Sequence, residues 1–329
     1  MEILVFLSGL IALGGIYAML AVALNVNGGL LGLWDLGVVG YFAVGAYSYT
    51  LLTIDAPEGL GLPMIAGVIG AAVITGLLSL FIGYTSLRLQ NEYLLITTFA
   101  FAEIIRIIAG NEEWLTNGNI GFFGLDKPFQ DIIPGSNYML FFSGLVLLTL
   151  VLFYIFAQRL ADSPMGRYMR AIRENELVTQ SIGKKIFSTK LKVFVLSSSM
   201  VGIVGCFYVW YMSIIAPNMF TSTITFTVWT ALVLGGIGNN RGAVMGAFVL
   251  ILVQEGTRFI PVAAEYSVVL AGLRQFISGM MLILVLRFLP QGLIAEKFKS
   301  VEKLFKFHHN SLILEPKGVR ENVASQGAE

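Results

Sequence analysis

The chain has 329 residues and a formal net charge of +1; 56% of its residues are hydrophobic and only 12% are charged. Mean hydropathy is +0.80. A soluble domain carries about 25% charged residues, so a soluble enzyme, a disulfide scaffold and a nucleic-acid binder are excluded. The apolar runs are each about 20 residues long, the length an α-helix needs to cross the hydrocarbon, and the chain reads as an all-α, polytopic transmembrane helical bundle.

Candidate spans lie at about 3–24, 36–54, 61–86, 91–109, 138–157, 191–215, 222–237, 243–260 and 267–289, within an expected range of 8–10. The first begins Met1-Glu2 without the basic flank of a signal peptide and is read as a retained helix. After it comes a Gly/Asn interruption, Asn25-Val26-Asn27-Gly28-Gly29-Leu30-Leu31-Gly32, in which Gly28 and Gly32 have the GxxxG spacing. Asn25, Asn27 and the following Asp35 are the polar groups offered here for a translocation path. In the fourth span, Thr97 and Thr98 read as packing hydroxyls and Glu103/Arg106 as a self-neutralising pair.

The stretch 110–137 carries Glu112, Glu113, Asp126 and Asp131 against Lys127, a net charge of −3. The stretch 158–192 has a net charge of +5, from four arginines and four lysines against Asp162, Glu174 and Glu176. The positive-inside rule places 158–192 in the cytoplasm and 110–137 outside. Within the basic loop, Ser163 can cap and Pro164 open a helix, with Met165, Tyr168, Met169 and Ile172 on one stripe and Arg167, Arg170 and Arg173 off it. Gly183 is the expected stop before a second basic stretch, Lys184 to Lys192. Such a helix suits docking into a groove on a cytoplasmic partner or lying at the interface with its arginines on anionic headgroups; both readings stand on the residues alone.

A second Gly/Asn interruption, Gly235-Gly236-Ile237-Gly238-Asn239-Asn240-Arg241-Gly242, follows the seventh span, and Gly242/Gly246 repeat the GxxxG spacing. Paired interruptions of this kind point to a substrate path lined by broken helices, or to ordinary turns and tight packing. Glu255/Arg258 form a second Glu-x-x-Arg pair, and Arg274 in the last span is a further polar group offered for the path. Lys297, Lys299, Lys303 and Lys306 place the tail in the cytoplasm. The domain organisation expected is a transmembrane permease unit over 1–290 and a flexible cytoplasmic tail over 291–329.

Chemistry has little to rest on. Both histidines, His308 and His309, lie in the tail, Cys206 is alone in an apolar run, and no metal motif or nucleophile elbow is present. No phosphate-binding loop occurs either, so ATP, if consumed, is hydrolysed by another subunit. Catalytic and metal sites are therefore expected to be absent. A stand-alone secondary transporter or channel is the other class considered, and it would need ion or proton sites within the bundle.

The run Ser163-Pro164-Met165-Gly166-Arg167-Tyr168-Met169-Arg170-Ala171-Ile172-Arg173-Glu174-Asn175-Glu176, with Gly183 and Lys190-Leu191-Lys192-Val193-Phe194, closely resembles the permeases of branched-chain amino acid ABC importers. Leu87 to Thr98, Glu103-Ile104-Ile105-Arg106, Leu115 to Gly121, Leu234 to Gly238 and Gly242 to Ala247 are similar to that family in the same order, over roughly residues 25 to 290. The resemblance implies that Arg170, Arg173, Glu174, Asn175, Glu176 and Gly183 form an ATPase-coupling segment. It also implies two cytoplasmic ATPase subunits that bind the ATP, a second related permease, an external substrate-binding protein and a home in a bacterial or archaeal cytoplasmic membrane. Asp35 stands where a small polar residue is expected and the following histidine is absent, which leaves the substrate open, urea and short amides included.

Overall fold

The computed structural model describes residues 2–296 except 56, 58, 131, 132, 134, 136, 182, 184, 257–266 and 290. Helices occupy all nine expected apolar stretches. They are α1 (Glu2–Leu24), α2 (Val38–Thr53), α3 (Met64–Ser86), α4 (Asn91–Asn111), then, past the short α5 (Glu113–Thr116), α6 (Asn137–Asp162). Two short helices, α7 (Pro164–Glu174) and α8 (Glu176–Ser181), separate α6 from α9 (Ile186–Met212), and α10 (Ser222–Gly235), α11 (Asn240–Gly256) and α12 (Ser267–Phe288) complete the bundle. Among the described residues, five helical stretches are long and apolar enough to cross a membrane: Leu4–Leu30, Met64–Ser86, Glu92–Asn111, Asn137–Asp162 and Ile186–Met212.

The core lies along α1, α2, α9 and α10. The inner half of α1, from Ala18 to Leu24, is fully buried, and α1 packs on α6, α9, α10 and α11. Glycine sets the closest approaches: a Cβ at Gly205 of α9 would sit 2.6 Å from the Phe42 carbonyl oxygen of α2, and one at Gly45 would meet the backbone of Gly202. Gly242 and Gly246 of α11 face the α10 backbone at Gly235 and Ala231 in the same way. This is the small-residue packing that brings membrane helices together. Outward-facing Ile, Leu and Phe side chains on α3, α4 and α6 are exposed, as expected of a lipid-contacting face.

The two ends of the bundle differ. At the acidic end a two-residue strand β1 (Phe122–Phe123) pairs antiparallel with β2 (Ile214–Ile215), pinning the 110–137 stretch beside the exit of α9. An open cleft of about 580 Å³ lies there, lined by Tyr49, Thr53, Asp55, Asn117, Phe122 and Asp126 among others. At the basic end α7 and α8 lie between α6 and α9.

Two helix boundaries move by five residues from their expected places. Helix α6 runs five residues past position 157 and α9 starts five residues before position 191, so the connection between them shortens to 163–185. Lys190 falls inside α9, where its ammonium pairs with Glu176 at 2.7 Å. The Gly28/Gly32 pair is not a helix-packing motif. Gly28 lies in a π-helical turn, Asn25–Leu30, that ends α1, while Gly32 is beyond it with φ +75°.

Candidate coupling and translocation site

The candidate coupling segment is built as its sequence dictates. The Ser163 hydroxyl accepts from the Gly166 N–H at 3.2 Å and Pro164 occupies the first turn of α7. The stripe turns inward, with Gly166, Met169 and Ile172 buried and Met165 and Tyr168 packed against the core. Asn175 ends α7, and its Oδ1 accepts from the Val178 N–H at 3.0 Å, capping α8. The Thr179 hydroxyl donates to the Ala171 carbonyl at 3.0 Å and so folds α8 back on α7.

The six residues assigned to coupling divide by direction. Glu174, Asn175 and Gly183 are exposed; Gly183 has φ +77° and open space where a side chain would begin. Glu176 is half exposed and holds Lys190. Arg170 donates to the Ala161 carbonyl at 3.0 Å, bracing α7 on α6. Arg173 turns into the bundle, where its Nη1 donates to the Gly29 carbonyl and its Nη2 pairs with Glu296 at 2.8 Å. Leu177 and Val178, which the periodicity of α7 gave no reason to single out, are 78% and 60% exposed on α8 beside Glu174.

Above this segment the chain breaks inside the bundle. The π-helical turn delivers it to an irregular stretch, 32–37, before α2 begins at Val38. Irregular backbone away from water must find partners, and side chains supply them. The Leu36 N–H donates to the Thr98 hydroxyl at 3.1 Å, the Val39 N–H to the Thr225 hydroxyl at 3.2 Å, and Trp229 Nε1 to the Asp35 carbonyl at 2.9 Å. Thr98 therefore holds the break as well as packing. Thr225 and Trp229 carried no sequence signal beyond being polar-capable groups in an apolar run.

The path candidates fall in two places. Asn25 joins the two Gly/Asn interruptions: its Oδ1 accepts from the Gly238 N–H at 2.8 Å and its Nδ2 donates to Asn240 Oδ1 at 2.7 Å. Asn240 in turn donates to Gln158 Oε1 of α6 at 3.3 Å. Asp35 is buried; its Oδ1 accepts from the Gly37 N–H at 2.7 Å and its Oδ2 from Asn27 Nδ2 at 3.4 Å, while Asn27 Oδ1 is buried without a hydrogen-bond partner. Trp34, between the two, stacks on Trp229 with ring centroids 5.1 Å apart. Arg274 is on α12, but its side chain lies outside the described residues, as does Arg258. Glu103 and Arg106 do pair, with Nε–Oε1 at 3.0 Å. Among the described residues no cluster of His, Cys, Asp and Glu could hold a metal ion.

Residues 6–286 match a family model described as the permease component of the branched-chain amino acid transport system. The chain is 31% identical to the high-affinity branched-chain amino acid transport system permease protein LivM of Salmonella typhimurium, covering 85% of this chain and 68% of that one. It is 28% identical to the probable LivM permease of Methanocaldococcus jannaschii, covering 86% and 91%, and 24% identical to LivH of Salmonella typhimurium, covering 89% and 95%. With the match spanning both Gly/Asn interruptions, the coupling segment and every apolar helix, the chain belongs to the branched-chain amino acid permease family, as a multi-pass membrane transport component.

Proposed function

We propose that this chain is the membrane-spanning permease subunit of an ATP-driven importer for branched-chain or similar amino acids, in a bacterial or archaeal cytoplasmic membrane. The permease unit expected over 1–290 extends through 291–296, whose backbone is hydrogen-bonded to α10, and 297–329 form the cytoplasmic tail. The basic end faces the cytoplasm, where two ATPase subunits bind the ATP, and the acidic end faces out to an external binding protein; a second related permease completes the path. The break around Asn25, Asn27 and Asp35 lines that path, with Arg274 assigned to it from sequence alone. Family membership supports this reading over a urea or short-amide importer and over a stand-alone secondary transporter.

The observation that carries it is the geometry of α7 and α8. Their buried stripe fastens them to the bundle, while Glu174, Asn175, Leu177 and Val178 present a small mixed acidic and apolar knob at the basic end. An exposed leucine and valine beside an exposed carboxylate offer a protein partner a docking point at this end. Alternating access requires the bound state of the ATPases to favour one bundle conformation over the other, and this knob is the place to apply that bias.

The test is ATP-dependent amino acid uptake in proteoliposomes holding the complete complex. Glu174→Arg or Gly183→Trp is expected to abolish uptake while the chain still inserts, and Glu174→Arg to release the ATPase on purification. Normal uptake by Glu174→Arg would sink the coupling assignment.

A further inference from the structure

Arg173 and Glu174 are neighbours in sequence and face opposite ways. Glu174 is exposed on the proposed ATPase side, whereas Arg173 reaches into a polar knot under the bundle. Three chain interruptions converge on its guanidinium. The first is the end of the π-helical turn, whose Gly29 carbonyl accepts from Nη1. The terminal carbonyls of a helix lack intrahelical partners and favour a cation, so Arg173 serves as the C-terminal cap of α1 from a different element. The second is the Gly-rich turn between α10 and α11: a Cβ on Gly238 would lie 2.6 Å from Glu296 Oε2 and 3.0 Å from Arg173 Nη1. The third is the segment after α12, which contributes Glu296.

That segment is itself tied down. The Leu293 and Ile294 N–H groups donate to the Leu234 and Gly235 carbonyls at 2.8 and 2.9 Å, and Asn239 Nδ2 donates to the Ala295 carbonyl at 3.1 Å. Gly32, at φ +75°, completes the seat: a Cβ there would come within 2.6 Å of Arg173 Cγ, so only glycine lets the arginine stem pass. The side chains of Arg173 and Glu296 are 20% and 17% exposed, shielded enough from solvent that the pair is not a screened surface contact.

We infer that Arg173, held by Glu296, is a positioning residue that transmits movement of α7 to the interruption at Gly29–Gly32, making the segment after α12 part of the coupling device. A shift of α7 moves Arg173 with it. Its guanidinium then draws on the end of α1, next to the irregular stretch 32–37. Arg173 does not touch the ATPase; it converts contact at Glu174 into displacement of the path.

This inference rests on the importer reading, and the two fail differently. If the wild-type complex holds no ATPase or shows no ATP-dependent uptake, the importer reading fails before any variant is made. Given an active wild type, the readout is substrate transported per ATP hydrolysed in the reconstituted complex. Arg173→Glu and Glu296→Arg are each expected to lower that ratio about tenfold while the ATPase still copurifies. The double variant Arg173→Glu/Glu296→Arg restores the ion pair but not the bond to Gly29, so partial recovery, to within a few-fold of wild type, is expected. Glu296→Gln, outside every helix, is the variant that leaves insertion intact and should lower the ratio several-fold. Ratios within twofold of wild type in Arg173→Glu and Glu296→Gln would overturn the assignment. So would a double variant no better than the worse single one, or loss of the ATPase on substituting Arg173, which would make it a contact residue.

Discussion

Asn25→Ala tests whether the two Gly/Asn interruptions are one structural unit. The asparagine makes one buried bond, donating to Asn240 Oδ1 at 2.7 Å, and one half-buried bond, accepting from Gly238 N–H at 2.8 Å. Alanine leaves both partners without it; Asn25 and Asn240 are 0% and 2% exposed, and Gly238 is half-buried. Side-chain hydrogen bonds between membrane helices average about 0.6 and reach about 1.7 kcal/mol, and a stranded buried group costs about 1–3 kcal/mol. Two bonds therefore give an expected loss of about 2–3 kcal/mol, read from SDS-induced unfolding of the purified chain in mixed micelles. Asn27→Ala is the internal control. Asn27 makes a single 3.4 Å bond and has an oxygen already unpartnered, so its loss should be under about 1 kcal/mol. If Asn27→Ala destabilises as much as Asn25→Ala, or if Asn25→Ala shifts unfolding by less than about 0.5 kcal/mol, the proposed cross-link between the interruptions is wrong.

Two further predictions separate features that look alike in sequence. Gly45→Ala should cost about 1–3 kcal/mol or prevent folding, because the new methyl meets the Gly202 backbone, which cannot yield; Gly144→Ala, with nothing within 4 Å, should be neutral or stabilise by up to about 1 kcal/mol, both measured by detergent thermal stability. Glu176→Gln strands the nearly buried Lys190 ammonium and should loosen α8, seen as faster tryptic cleavage at Lys185; adding Lys190→Met should restore resistance, since removing both charges avoids the stranded one.

The helices were legible because a long apolar run in a chain this poor in charge has few other fates, and the cap at Ser163-Pro164 was legible because capping is local. Boundaries failed where a charge was satisfied at a distance. Lys190 argued for starting the span after it, yet the helix begins at Ile186, and Glu176, 14 residues away, takes the Lys190 ammonium. Gly28 and Gly32 failed for a related reason. Their spacing is meaningful only on a regular helix, and the π-helical turn and the φ of +75° at Gly32 put them on different surfaces.

The site was half legible, and the dividing line is instructive. Periodicity placed Met169 and Ile172 inward and left the arginines outside, because a stripe argument assigns each residue to core or solvent. It has no category for a long cationic side chain that leaves the solvent face to cap a different helix. Arginine can do this since its stem is apolar and its fork needs acceptors, and the required acceptors were the Gly29 carbonyl and Glu296, 144 and 123 residues away. Glu296 had no local signal at all, lying in a stretch that composition alone reads as tail. Adjacent residues Arg173 and Glu174 thus carry the same sequence-level label and opposite structural ones. The proposed coupling uses both at one spot: Glu174 as the group a partner can push, and beside it Arg173, fastened to the end of α1.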